Sequence, residues 1–230
     1  MAKIVFDIET IGENFDELDE TTQEMLLRWV NNEQEIQEIK NGLGFSPLTG
    51  QIVAIGVMDV DDGKSLPAGR QGAVYYQDLK NKEESEHDGV KLKPMSEPEM
   101  LEKFWDVAKH CSECISFNGR AFDVPFLMVR SAIHKIRPPI NLMPPRYSSN
   151  ATHIDLMDQL TFYGSVRKKG TLHLWCRAFG ITSPKADGVT GDDVGRLFSE
   201  AKYREIAQYN VGDLRATREL YKYWNDFMRF

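Results

Sequence analysis

Alternation sets the first element. In Lys3-Ile4-Val5-Phe6-Asp7-Ile8-Glu9-Thr10 an apolar run carries two acids two residues apart. A strand's period of two places Asp7 and Glu9 on one face and Phe6 and Ile8 on the other. The following segment, Glu13 to Lys40, is rich in Glu and Gln, with apolar positions at Phe15, Leu18, Met25, Leu26, Trp29, Val30, Ile36 and Ile39. That spacing predicts one or two amphipathic surface helices, ended by Gly42, Gly44 and Pro47. Gln51 to Met58 is a strong apolar strand, Asp61 to Gly72 is turn chemistry, and Ala73 to Tyr76 is a partner strand, so the three strands form a meander. Asn81 to Lys93 is charged and reads as a solvated loop. Ser96-Glu97-Pro98-Glu99 carries the residues of a helix start, with an N-cap Ser, an early Pro and a Glu three residues on.

Cys114 to Phe117 predicts a short strand, Asn118-Gly119-Arg120 a turn, and Asp123 onward a helix with Pro125 in its first turn, stopping before Pro138-Pro139. His153 to Leu156 is a further strand. Helical patterns cover Thr171 to Phe179, about 192–197, and Ser199 to Phe230. Three strands followed by alternating helices and strands predict an α/β fold, a mixed sheet of about five strands with helices on both faces. The expected organisation is a single domain over residues 1–230 with a helical insertion at about 12–48.

Composition narrows the classes. A formal net charge of −7 argues against nonspecific binding of nucleic acid over the whole surface, though not against a local basic groove. No apolar stretch is long enough to span a membrane, and Met-Ala-Lys leading straight into a strand lacks a signal-peptide pattern, so a cytoplasmic protein is expected. Cys111, Cys114 and Cys176 make no disulfide framework. Cys111 and Cys114 form a CxxC beside His110, but no second half-site of zinc spacing accompanies them.

Two acids on one face of a buried strand raise each other's pKa and strain the fold unless a cation lies between them; the alternative is an acid that caps a turn. Asp123, at a strand-to-helix junction, reads equally as a cap. Tyr209 and Asp213 lie four apart in the last helix and share a face. In this order, FDIET, FNGRAFDVPFL from Phe117 to Leu127, and YNVGD from Tyr209 to Asp213 resemble the motifs of the 3′–5′ exonucleases of the four-carboxylate superfamily on the ribonuclease H-like fold. Within that superfamily the chain is most similar to the proofreading exonuclease domain of family B DNA polymerases.

The resemblance implies Asp7, Glu9, Asp123 and Asp213 as ligands of two divalent ions, Mg²⁺ or Mn²⁺, and Tyr209 as the residue that orients the attacking water. Tyr209 stands four residues before Asp213, with Gln208 at the His position of the other subclass, which assigns the chain to the tyrosine subclass. Asn118 and Phe122 are candidates for the terminal nucleotide, Lys185 and the Arg167 to Lys169 run for phosphates. Nucleic acid with a free 3′ end is the implied substrate, single-stranded DNA favoured and RNA possible, with no membrane partner. The long segment between Gly12 and Pro47, and the lack of a polymerase domain after Phe230, imply a stand-alone relative, with recruitment by a polymerase or helicase left open. The alternatives are an exoribonuclease resembling ribonuclease D and a catalytically silent nucleic-acid-binding module on the same fold.

Overall fold

The computed structural model describes residues 2–61, 71–78, 80–148, 152–183 and 191–230, apart from the side chain of Asp192. Its centre is a seven-stranded mixed sheet: β1 (Ala2–Gly12), β2 (Gly50–Asp59), β3 (Gly72–Tyr76), β4 (Ser85–His87), β5 (Val90–Pro94), β6 (Cys111–Ser116) and β7 (His153–Asp155), in the order β4-β5-β3-β2-β1-β6-β7. β1, β2 and β3 form the expected antiparallel meander, and β6 lies parallel to both β1 and β7.

The two faces of β1 feed two cores. Ile4, Phe6 and Ile8 join Met100, Leu101, Phe104 and Trp105 of α3 (Glu97–Ala108) and Val124, Phe126 and Leu127 of α4 (Asp123–Ile133). Val5 belongs to the opposite core, where Val53, Val74, Tyr76 and Leu92 meet Val211, Leu214, Leu220 and Trp224 of the 25-residue α8 (Tyr203–Phe227). Asp7 and Glu9 follow Val5 with strand period, so they point toward α8, away from Phe6 and Ile8. The ladder between β1 and β2 shifts register between Glu9 and Thr10, and irregularities of this kind re-aim side chains beside functional sites.

Between β1 and β2 the insertion folds as α1 (Glu20–Leu27), α2 (Glu33–Gly42) and a 3₁₀ turn over Leu43–Phe45. Neither helix has a buried residue. After β7 come α5 (Leu156–Leu160), α6 (Leu172–Phe179) and α7 (Val194–Ser199).

The sheet has two more strands than the sequence pattern predicts. The segment read as a loop from Asn81 to Lys93 contains β4 and the start of β5, joined at Asp88 and Gly89, both with left-handed φ (52° and 79°). Val90 and Leu92 are fully buried while Lys91 and Lys93 point outward, an alternation masked by the charge around it.

Candidate active site

Three chain segments far apart in sequence bring carboxylates together. Asp7, Glu9 and Asp213 each offer an oxygen, all within 4.8 Å of one another. Glu9 is buried, and Asp7 and Asp213 are half-buried. Asp123, the first residue of α4, lies beside this group and not within it: its Oδ1 accepts the N–H of Ile8, between Asp7 and Glu9, at 3.1 Å. Burial raises the pKa of Asp7 well above the usual carboxylate range, and Asp123, Glu9 and Asp213 raise it further. Burial likewise raises Glu9, with Asp213 adding to the rise and the Asn210 amide opposing it. Asp123 is pushed up to about 7 by burial, against the lowering effect of the backbone N–H groups it accepts.

Tyr209 lies one turn before Asp213, and the Asp213 carboxylate acts on its phenol. Burial first, then Asp213, Glu9 and Asp7, hold the phenol far above its ordinary pKa, so it keeps its proton at any physiological pH.

Asn210, between Tyr209 and Val211, carries a role that motif reading did not assign. It is fully buried, and its Nδ2 donates to Asp7 Oδ2 at 2.8 Å and to Glu9 Oε1 at 3.4 Å. An amide donor between two crowded carboxylates favours their ionised forms. The signal lay inside YNVGD, but only the contact between α8 and β1 gives it meaning.

Asp155 is a second such residue. Its carboxylate accepts the N–H of Asn118 and of Arg120, each at 2.9 Å, and fixes the turn that leads into Asp123. Asn118 sits in this turn with a left-handed φ of 64°. It lines a pocket of about 360 Å³ with Arg120, Arg146, Asp158 and Lys169, a pocket to which none of Asp7, Glu9, Asp123 and Asp213 contributes. Phe122, immediately before Asp123, packs its ring against Phe126 at 5.1 Å and Phe45 at 6.4 Å. Arg167, Lys168 and Lys169 are exposed, and Lys185 lies outside the described residues. The Cys111 thiol donates to Val107 O at 3.4 Å and the Cys114 thiol to Ala108 O at 3.9 Å, with His110 exposed beside them. Among the described residues the cluster of Asp7, Glu9 and Asp213 is the group of His, Cys, Asp and Glu with metal-holding geometry.

The donor set fits a hard divalent cation. Carboxylate oxygens match Mg²⁺ or Mn²⁺, and like charges crowded into a buried site call for a positive partner.

Comparison with solved structures finds the family B DNA polymerase from the hyperthermophilic archaeon Pyrobaculum calidifontis, with a TM-score of 0.60 and 16% identity over 98% of this chain. The chain spans 25% of that polymerase's length, and at this identity the likeness shows the fold, which is ribonuclease H-like. No curated protein matches the chain. A family model matches residues 50–227, a span that contains Asp123, Tyr209 and Asp213 and begins after the strand of Asp7 and Glu9. The chain belongs to that family, the predicted 3′–5′ exonucleases related to the exonuclease domain of PolB.

Proposed function

We propose that the protein is a metal-dependent 3′–5′ exonuclease that hydrolyses phosphodiester bonds at the 3′ end of single-stranded DNA and releases 5′-mononucleotides. One observation carries the reading: Asp7, Glu9 and Asp213, from the first strand and the last helix, place oxygens within 4.8 Å of one another. In a family of predicted exonucleases, such a cluster is suited to two Mg²⁺ or Mn²⁺ ions. When bound, the metals supply Lewis-acid activation of water and stabilisation of the departing 3′ oxygen.

The chain's own residues do the rest. Asp7, Glu9, Asp123 and Asp213 hold the ions. Tyr209, which keeps its proton, acts as a donor and not as a base: its hydroxyl orients Asp213 and the attacking water beside it. Asn210 donates to both Asp7 and Glu9, which turns them toward each other before a cation arrives, and it opposes the rise in the Glu9 pKa. Asn118, Phe122 and Lys185 belong to the substrate side of this proposal.

No helix among the described residues is long and apolar enough to cross a membrane; a cytoplasmic location is part of the proposal. The test is incubation with 3′-ended single-stranded DNA and RNA in Mg²⁺, Mn²⁺ or EDTA. Release of 5′-mononucleotides from DNA, only with metal, is the expected result. Preferential cleavage of RNA would move the assignment to an exoribonuclease. Binding without cleavage would make the chain a silent module.

A further inference from the structure

The insertion between β1 and β2 brings an aromatic ring beside the end of the strand that carries Asp7 and Glu9. Its last turn is fixed to the end of β1: Thr10, the residue after Glu9, donates its hydroxyl to Gly44 O at 2.7 Å, and the backbones of Gly12 and Gly44 lie in close contact. Phe45 is next in the chain. It is 70% exposed, although its ring edge meets Phe122, the residue before Asp123, at 6.4 Å between centroids. Phe45 is therefore adjacent both to the strand that carries Glu9 and to the helix start that carries Asp123. It also lines a groove of about 650 Å³ with Thr10, Gly12, Glu13, Lys40, Arg196 and Phe198, next to the end of β1 and without Asp7, Glu9, Asp123 or Asp213 in its lining. That volume suits a nucleotide.

We infer that the insertion is a substrate-binding element whose Phe45 stacks against the base of the 3′-terminal nucleotide in this groove. The inference rests on the exonuclease reading of the neighbouring carboxylates. A phenyl face accepts any base, which suits an exonuclease that removes nucleotides irrespective of sequence. Lys40 and Arg196 line the groove together with Glu13. Both already hold acids, Lys40 with Asp16 at 3.0 Å and Arg196 with Asp193 at 2.9 Å, so the ring and not a free cation is the principal contact.

Exposure makes the test clean, because truncating Phe45 removes little packing. Affinity for a fluorescent 3′-ended single-stranded oligonucleotide is measured by anisotropy with Ca²⁺ replacing Mg²⁺, beside thermal melts. Phe45→Ala weakens binding by about 5- to 150-fold, the range of a lost base stack, with an unchanged Tm. Phe45→Leu, which keeps apolar contact with Phe122 but has no ring face, also weakens it, whereas Phe45→Trp restores it. Trp29→Ala changes nothing: Trp29 is 82% exposed in the same insertion, and its ring faces Arg28 at 5.3 Å. Wild-type affinity in Phe45→Ala or Phe45→Leu, in a protein that binds and degrades the strand, overturns the inference and leaves the function standing. A wild-type protein that neither binds nor degrades overturns the exonuclease reading itself.

Discussion

Asn210 occupies the space that a side chain at position 56 would fill. Gly56 pairs with Asp7 across the β1–β2 ladder, and a Cβ there would overlap Asn210 Oδ1 and lie 2.6 Å from Leu214 Cδ1. The glycine lets α8 approach the sheet closely enough for Asn210 Nδ2 to reach both Asp7 and Glu9. The same closeness leaves Asn210 Oδ1 buried without a hydrogen-bond partner among the described residues, a cost borne so that the donor end faces the acids.

Gly56→Ala is expected to destabilise the protein by about 1–3 kcal/mol, the usual cost of overpacking. Asn210→Ala, which opens the space, is expected to weaken Mn²⁺ binding about 10-fold by calorimetry, since partners that orient ligands carry effects of that size. In the double variant, Asn210→Ala should recover part of the stability lost through Gly56→Ala, giving a coupling of about 0.5–3 kcal/mol in a double-mutant cycle. Strictly additive losses would mean that the two residues do not share this space.

The carboxylate cluster is built against stability. Burial and mutual repulsion raise Asp7, and neutralising it relieves both. Asp7→Asn is expected to raise the Tm of the metal-free protein by about 1–8 °C, from a relief of roughly 0.5–2 kcal/mol, while abolishing nuclease activity. Thermal melts in EDTA beside a nuclease assay check this. A lower Tm would show that Asp7 contributes more through its bond from Asn210 than it loses by repulsion.

The sharing of one face by Asp7 and Glu9 was legible from a period of two, without knowledge of the fold. The meeting of that face with Asp213 was not: it joins residues about two hundred positions apart, and periodicity says only that Tyr209 and Asp213 share a helix face. Motif order supplied that link, and in the fold the oxygens of Asp7, Glu9 and Asp213 lie within 4.8 Å of one another. The β4–β5 hairpin was hidden for a different reason. Val90 and Leu92 alternate with lysines in a charged stretch, and the turn at Asp88 and Gly89 was the signal that outweighed the charge. The relation between Gly56 and Asn210 was not legible at all, because it depends on how closely α8 approaches β2.

The pH dependence of stability should differ with and without metal. Asp123 titrates near 7 in the folded protein, and Asp7 and Glu9 are also raised, whereas unfolded carboxylates titrate near 4. Between about pH 4 and 7 the folded state therefore holds more protons than the unfolded one, and stability falls as pH rises through that window. In EDTA the Tm is expected to drop from pH 5 to pH 8. With Mn²⁺ the drop should shrink or reverse, because the ion takes the ionised carboxylates and binds more tightly as they lose protons. His153, buried and held down to about 4, costs stability as pH falls below 6.5. It contributes equally with and without metal, so the difference between the two curves isolates the acids. Parallel curves would exclude them as the metal site.

Tyr209 separates positioning from proton transfer. Its ring packs against the core beneath α8, and its phenol faces the carboxylates of Asp213, Glu9 and Asp7, so Tyr209→Phe keeps the packing and removes the hydroxyl. Loss of a water-orienting group is expected to cut kcat on the order of 10²-fold, the scale of a small misplacement of reacting atoms, with KM for the oligonucleotide and affinity for Mn²⁺ unchanged. Because the phenol stays protonated throughout the working range, the alkaline limb of the pH–rate profile should be the same in the variant and the wild type. A variant that loses this limb would show that Tyr209 titrates within the working range as a required proton donor, and one that loses the acid limb would make it a base. One that loses metal affinity while kcat at saturating metal is preserved would reduce its role to holding Asp213 in place.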